Sequence, residues 1–292
     1  MTLKSSFLAD LHENLKRRLW MPWAIFIGEF FMYPVFVAVG MRIVDMDYAG
    51  SLGAIRLRYT RNIVHDLMGL NYIYQFVAVG IGAALAIHGF SYLCNRQKVD
   101  LYHSVPKERG RRFCVITVNS LLMYLVPHLV CLLLGGLSVA AFCPKGLPQP
   151  VGSLALWSDI ALAELFNLLG MLAGYVIGTL SMMLTGNLLL SVLGTFVLSL
   201  YELFMGVTLA SGMEMFFPHF SYFGSDTAFF TRAYVSPLPL LAHLISKLAV
   251  FNDYDLRSME IRTLAERLHG AGGAFFRLIL LLAVYLAADY FL

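Results

Sequence analysis

Six long apolar runs constrain this chain more than any other feature of its sequence. Each has at least 22 residues, and a bilayer core about 30 Å thick needs about 20 residues of helix to cross it. Backbone polar groups inside a bilayer must pair within the segment, so we predict that all six are helices. Pro22, Pro34 and Pro127 should bend these helices rather than end them. The predicted spans are Trp20–Met41, Tyr72–Leu93, Phe113–Phe142, Ile160–Thr185, Leu188–Ala210 and Ala271–Leu292.

The composition excludes a soluble protein. Of 292 residues, 59% are apolar and 13% are charged, whereas soluble domains average about 45–50% and about 25%. The net charge of +3 is scattered and does not suggest a nucleic-acid partner, and the four cysteines lack a CxxC pair or metal-ligand spacing. We therefore predict a single all-α, polytopic membrane domain over residues 1–292, embedded in the lipid bilayer and without a metal site.

Lysine and arginine predict the orientation, because they are denser in cytoplasmic loops. If both ends are cytoplasmic, the inner segments hold ten of these residues in 40 and the outer segments hold ten in 107. The density therefore favours cytoplasmic ends, although Arg56, Arg58 and Arg61 in the first outer loop argue against it. The inner segments are 1–19, 94–112 and 186–187, and the outer segments are 42–71, 143–159 and 211–270.

Two segments outside the spans have a pattern of their own. Residues 1–19 predict an amphipathic helix on the membrane surface, or alternatively a soluble helix packed on other cytoplasmic parts. The large outer loop 211–270 is aromatic in its first half, and its apolar stretch Pro239–Phe251 is too short to cross. That stretch is typical of an interfacial or re-entrant segment, and Asn252–His269 is typical of a solvated helix.

Ionisable residues inside the spans are candidates for function, because each costs roughly 2.5–3.5 kcal/mol at the bilayer centre. Glu164, Arg277 and Asp289 lie near span ends, where side chains can reach the interface. The deeper residues predict either a polar substrate path or proton relay, or neutral groups hydrogen-bonded between helices. These deeper residues are Glu29, His88, His128 and Glu202.

No enzyme motif is present, and we predict no catalytic residue. His12-Glu13 does not continue as HExxH, and no GxxxxGK[ST] loop could bind the phosphates of ATP. His103-Ser104 lacks a supporting acid. Gly170, Gly174 and Gly178 recur every four residues in the fourth span, which predicts close approach of another helix, within this chain or across a dimer.

The loop after the second span resembles a known family. Residues 90–109 are similar to the corresponding loop in permease subunits of type-2 ATP-binding-cassette exporters from Gram-positive bacteria. Thr185-Gly186-Asn187 matches their turn between the fourth and fifth spans, and the resemblance covers most of the chain. The matching loop positions are Asp100, Tyr102, His103, Ser104, Pro106 and Arg109.

The resemblance implies a permease of the bacterial plasma membrane with six spans, a surface helix, and a large outer loop before the last span. Such permeases pair as homodimers or heterodimers. Each engages a separate ATPase subunit, which holds the ATP and Mg, so this chain itself binds no cofactor. Residues 94–112 would form the coupling loop that seats on the ATPase. The exported substrate could be a lipid, a peptide antibiotic or a drug.

Alternatives stay open at this point. The chain could be an ATPase-independent secondary transporter or a membrane receptor that uses its buried Glu and His residues for ion coupling. An inverted internal repeat would favour that class, and none is visible. The loop 94–112 could also be a basic topology anchor without a partner. The chain stops at Tyr290-Phe291-Leu292 without the basic segment usual in such permeases, so we expect the natural protein to continue past Leu292.

Overall fold

The fold is that of a computed structural model, which describes residues 7–47, 72–95, 97, 99–100, 109–142, 154–216, 237–241, 244 and 264–291. Within these residues every regular element is helical. The α-helices are α1 (Phe7–Lys16), α2 (Trp20–Phe30), α3 (Phe36–Asp47), α4 (Tyr72–Phe90), α5 (Arg109–Phe142), α6 (Leu154–Thr185), α7 (Leu188–Phe216) and α8 (Leu264–Phe291). A π-helical turn, Phe31–Val35, joins α2 to α3, and a 3₁₀ turn, Ser91–Cys94, follows α4.

Five stretches of the described residues are helical, long and apolar enough to cross a bilayer. This finding confirms a helical protein with several candidate membrane spans. The sixth predicted span lies in α7, where the apolar stretch among the described side chains is Leu188–Tyr201. The five stretches are Trp20–Ile43, Ile73–Cys94, Arg109–Ala141, Ala163–Thr185 and Gly272–Phe291.

Several helices extend beyond the apolar runs from which they were predicted. α7 continues to Phe216 and α8 begins at Leu264, so both enter the predicted outer loop 211–270. α5 begins at Arg109, ahead of the predicted start at Phe113. Hydropathy marks where lipid contact ends, whereas backbone hydrogen bonding continues through polar residues that lie outside the hydrocarbon.

The prolines lie inside continuous helical segments. Pro34 lies in the π-helical turn, where the Phe36 N–H donates to the Phe31 carbonyl five residues earlier. A proline cannot donate to the carbonyl four residues before it, and the wider turn accommodates that loss. Pro127 lies within α5 without ending it.

The chain divides into two compact units. The first contains residues 1–77, 107–168 and 261–264, and the second contains residues 78–106, 169–260 and 265–292. In the described residues the first unit comprises α1 to α3, α5, and the beginnings of α4 and α6. The second comprises the remainder of α4 and α6, α7, and α8 from Ala265 onward.

In the first unit α1 rests on the start of α5. Asp10 forms a 2.9 Å ion pair with Arg111, and the buried Asn119 amide donates to the Leu11 carbonyl at 3.0 Å. No residue of α1 is buried, and Leu8 is 73% exposed. The helix is therefore held on one side by polar contacts and presents apolar side chains on another, as expected of a helix at a membrane surface.

In the second unit α4 and α6 approach through small residues. A Cβ at Gly174 would lie 2.8 Å from the Val79 carbonyl carbon, and a Cβ at Gly178 would lie 3.1 Å from the Ala83 Cα. A Cβ at Gly82 would lie 2.9 Å from the Tyr175 nitrogen. Gly170 is buried as well. The close partner of Gly174 and Gly178 is thus another helix of the same chain.

The turn between α6 and α7 is two residues long. Gly186 adopts a φ of +58°, which is the conformation that glycine favours at the end of a helix. The Asn187 side chain accepts a 3.0 Å hydrogen bond from the Leu189 N–H and so caps α7. A Ser181 hydroxyl that donates to the Ser191 carbonyl at 2.7 Å holds the two helices together beside this turn.

Candidate functional site

A histidine and two glutamates meet in the interior of the first unit. His128 Nδ1 lies 3.1 Å from Glu29 Oε1, and His128 Nε2 is hydrogen-bonded to Glu164 Oε2. The exposed fractions of the side chains are 4% for His128, 5% for Glu29 and 15% for Glu164. Three helices thus bring three ionisable groups together away from water. We call Glu29, His128 and Glu164 the Glu–His–Glu cluster.

Helical spacing supplies the groups around the cluster. Tyr33 follows Glu29 by four residues, Tyr124 precedes His128 by four, and Asn167 follows Glu164 by three. Residues three or four apart share a helix face. Each helix therefore presents a pair of polar or aromatic side chains to the same interior region, although the surrounding sequence is apolar.

Tyrosine rings surround the imidazole. The Tyr124 ring stacks on His128 at a centroid distance of 4.9 Å and 18° between planes, while Tyr33 meets the same ring edge-on at 5.5 Å and 80°. Tyr74 stacks on Tyr33 at 5.0 Å. The face of an aromatic ring carries partial negative charge and favours a cation beside it. The stacking therefore fixes the ring plane of His128 and suits a protonated imidazole.

An amide pair extends the polar region. The Gln75 amide donates to the Phe166 carbonyl at 2.9 Å and accepts from the Asn167 backbone N–H at 3.2 Å, and Asn167 Nδ2 donates to the Tyr33 hydroxyl at 3.1 Å. The Tyr74 hydroxyl donates to the Met32 carbonyl, in the π-helical turn, at 3.1 Å. Hydrogen bonds within the protein thus satisfy these four side chains, which the surrounding lipid could not do. These hydrogen bonds fix the positions of the side chains that surround the Glu–His–Glu cluster.

The carboxylates of the cluster have fewer hydrogen-bond partners than the polar side chains around them. Among the described residues, Glu29 Oε2 and Glu164 Oε1 are buried without a hydrogen-bond partner. An unpaired buried polar atom costs about 1–3 kcal/mol, and more when it is charged. Retaining two such atoms beside one imidazole is therefore unexpected for a purely structural contact.

The cluster does not suit a metal ion. In the described part of the chain no group of three His, Cys, Asp or Glu side chains is arranged to hold one. Both ring nitrogens of His128 already face carboxylates. A metal would have to displace one of these hydrogen bonds to gain a nitrogen ligand.

The other ionisable residues of the predicted spans belong to the second unit. His88 is half-buried in α4, and Arg277 is exposed in α8. Asp289 is only 1% exposed, and neither of its carboxylate oxygens has a hydrogen-bond partner among the described residues. The side chain of Glu202 lies outside the described residues. Of the four predicted deep positions, Glu29 and His128 come together in the first unit, and His88 and Glu202 belong to the second.

The predicted coupling loop is described in part. Asp100 and Arg109 are exposed, while Tyr102, His103, Ser104 and Pro106 lie outside the described residues. After the 3₁₀ turn that follows α4, Asn95 is extended, with φ −123° and ψ 110°. Its side chain accepts from the Gln97 N–H at 3.1 Å and its carbonyl accepts from the Val99 N–H at 3.0 Å. Asn95 is therefore the N-cap of a new helical turn.

Sequence reasoning missed several members of the site. The predicted spans put Glu164 near a span end, yet it contacts His128, and the sequence prediction does not include Tyr33, Tyr74 or Tyr124. The signal that could have found them is the spacing of Glu29 with Tyr33 and of Tyr124 with His128.

No family model matches this chain, nor does any curated protein or solved structure.

Proposed function

We propose that this chain is the permease subunit of an ATP-driven exporter, whose energy comes from a separate ATP-binding-cassette ATPase. The observation that carries the proposal is the helical turn capped by Asn95, directly after the second candidate span. A short helix outside the hydrocarbon, joined to a long apolar helix, has the geometry needed to pass movement of a bound partner into a membrane-spanning segment.

The exposed side chains of this turn suit a protein partner. Gln97 and Asp100 are both exposed, and Val99 between them is partly buried. A partner surface could therefore reach a charge and an amide without displacing the turn from its own span. A contact this small should depend on one or two anchor residues. Asp100 is the described candidate, and Tyr102 is the candidate from the sequence.

The far end of the loop is also anchored. Arg111, two residues into α5, pairs with Asp10 of the surface helix α1, and both lie in the first unit. Asn119 bonds the α1 backbone two turns further along α5. A force on the loop would thus reach α5 and the surface helix together instead of being absorbed by a free segment.

The proposal includes a topology and a set of partners. Six helices cross the bacterial plasma membrane, with α7 as the fifth, and both ends face the cytoplasm. The chain pairs with a second permease subunit, identical or related, and binds no cofactor of its own. ATP and Mg belong to the ATPase. The substrate class, whether lipid, peptide antibiotic or drug, is not assigned.

Site-specific crosslinking in native membranes tests the proposal. A photo-crosslinking residue is introduced at Gln97 or Asp100, and in a matched control at Met215 near the far end of α7, which is 82% exposed. We expect the loop positions to give an adduct with a protein that carries a GxxxxGK[ST] loop, identified by mass spectrometry. The Met215 control should give none. Absence of such a protein from the loop adducts would contradict the proposal.

Two substitutions test whether the loop couples ATP hydrolysis to export. Asp100→Ala and Tyr102→Ala should leave the protein inserted, because Asp100 is exposed and both residues lie outside the predicted spans. We expect ATP-driven export and substrate-stimulated hydrolysis to fall at least about tenfold, as for loss of an anchor residue. Basal hydrolysis by the ATPase should persist. Glu13→Ala, at an exposed position of α1, is the control, and normal export by both loop variants would show that the loop is a topology anchor.

A further inference from the structure

The hydrogen bonds of the Glu–His–Glu cluster fix how many protons it must hold. Each ring nitrogen of His128 faces a carboxylate oxygen, so each of the two contacts needs one proton between its atoms. The protonated imidazole between two carboxylates meets this need. A neutral imidazole that donates to one glutamate and accepts from the other, protonated, glutamate meets it equally well.

Both arrangements carry one net negative charge. Neither glutamate forms an ion pair with a lysine or arginine of the described residues, and one oxygen of each is buried without a hydrogen-bond partner. An uncompensated charge in an apolar interior is costly. The cluster is therefore one positive charge short of neutrality, and it has two buried atoms where a proton could add.

We propose that the Glu–His–Glu cluster is a proton-binding relay. It takes up one exchangeable proton beyond the two held in its hydrogen bonds, and His128 passes protons between Glu164 and Glu29. Starting from protonated Glu164 and neutral His128, the Glu164 proton moves to Nε2 while the Nδ1 proton moves to Glu29. Glu164 is then ionised, Glu29 is protonated, and the imidazole has exchanged its tautomer. The charge of the cluster is unchanged by this transfer.

Burial indicates the direction of entry. Glu164 has 15% of its side chain exposed, against 5% for Glu29 and 4% for His128. Glu164 Oε1 is itself buried, so the assignment of proton entry to Glu164 rests on its being the least buried side chain of the three, and Glu29 is then reached through the imidazole. Imidazole suits this task because it can accept a proton on one nitrogen while it releases one from the other.

The other titratable groups around the imidazole do not replace the missing charge. Tyr33, Tyr74 and Tyr124 present hydroxyls or ring faces, and the Cys131 thiol donates to the Phe26 carbonyl at 3.7 Å. None of these side chains can become a cation. A proton is favoured over a metal ion because both imidazole nitrogens are engaged, and over a larger cation because the three side chains are nearly enclosed.

Infrared difference spectroscopy tests the binding step. The purified chain in lipid nanodiscs is shifted between alkaline and acidic buffer, and the carbonyl stretch of protonated carboxylic acids is recorded. We expect a buried-acid band that is lost or shifted in Glu29→Gln and in Glu164→Gln. It should persist in Asp289→Asn, which removes a buried carboxylate outside the cluster. A wild-type band that is absent, or unchanged by both glutamine substitutions, would overturn the proposal.

His128→Gln tests the relay step. Glutamine retains a donor and an acceptor, but its amide cannot take a proton on one atom and release it from another. We expect protonation of Glu29 after a pH jump to slow at least about tenfold, with Glu164 still protonating. Equal rates in the wild type and the variant would refute a relay. If His128→Gln does not purify folded, the rate at Glu29 in Glu164→Gln replaces it, and an unchanged rate there would refute entry through Glu164. Neither measurement needs the ATPase, so the outcome is independent of the exporter proposal.

Discussion

The Glu–His–Glu cluster of the first unit and a contact of small residues in the second unit both hold helices together, but by different interactions. We call the second contact, which involves Gly82, Gly174, Gly178, Ser181 and Gly194, the small-residue seam. In the cluster, α2, α5 and α6 meet through ionisable side chains that leave two carboxylate oxygens without hydrogen bonds among the described residues. In the seam, α4, α6 and α7 meet through glycines and serines. Its hydroxyls bond neighbouring carbonyls, as Ser181 does to Ser191 at 2.7 Å.

This difference in hydrogen bonding distinguishes a contact that only stabilises the fold from one that is a candidate for function. Close packing of small residues and satisfied hydroxyls stabilise a helical membrane protein without a buried charge. The seam therefore needs no further explanation. The cluster supplies less hydrogen bonding than it requires, and a fold under selection for stability alone would replace it with apolar residues. The presence of the cluster in this chain is what a proton-binding role explains.

Removing the imidazole should have the largest effect. His128→Phe retains ring stacking with Tyr124 but leaves both glutamates without a partner. Breaking a buried ion pair by removing one member costs about 3–5 kcal/mol. We expect the free energy of unfolding, measured by denaturant titration in micelles, to fall by that amount.

The control for this substitution removes the charges as well. In the triple variant His128→Phe, Glu29→Gln, Glu164→Gln no carboxylate is left without a partner, so much of the lost stability should return. A triple variant as unstable as the single one would mean that the shape of His128, rather than its charge pairing, stabilises the first unit.

A methyl group in the seam should have the next largest effect. In Gly82→Ala the new Cβ would lie 2.9 Å from the Tyr175 nitrogen of α6, so one helix backbone must move. Overpacking typically costs about 1–3 kcal/mol, and a backbone neighbour favours the upper end. Gly80→Ala is the matched control, since nothing lies within 4 Å of a Cβ there. Equal unfolding midpoints for the two variants would contradict the close approach of α4 and α6.

The helices could be predicted from the sequence more reliably than their partners. Apolar length alone predicts six spans, because lipid forces the backbone to bond within each segment, and the described residues contain five candidate spans. Glu164 was missed for a specific reason. The predicted span starts at Ile160, but α6 begins at Leu154, so Glu164 lies in the third turn of the helix rather than at its end.

The pairing of helices could not be predicted in the same way. The repeat at Gly174 and Gly178 predicts close approach, but periodicity does not say that the partner is the face of α4 that carries Val79 and Ala83. Likewise, Glu29 and His128 are 99 residues apart. Their contact depends on how α2 and α5 pack, which no local pattern encodes.

The smallest effect should come from a hydroxyl in the seam. Ser181→Ala removes the hydrogen bond to the Ser191 carbonyl, but that carbonyl still accepts from the Thr195 hydroxyl at 2.8 Å. No buried group loses its last partner, so the cost should be close to the average of about 0.6 kcal/mol for a hydrogen bond between membrane helices. A loss as large as that of His128→Phe would erase the distinction between seam and cluster.

A second substitution tests the same contact without relying on a small difference in the free energy of unfolding. In the wild type a Cβ at Gly194 would overlap the Ser181 hydroxyl, whereas it would lie 3.6 Å from the Ser181 Cβ, an ordinary contact. Gly194→Ala should therefore destabilise the wild type but be neutral in the Ser181→Ala background. At most, Gly194→Ala raises the free energy of unfolding in that background by about 1 kcal/mol, because alanine loses less backbone freedom in a helix than glycine does. This non-additivity, measured as a double-mutant cycle of unfolding free energies, is expected only if α6 and α7 touch at these two residues. Additive effects would mean that the hydroxyl and the glycine stabilise the seam separately.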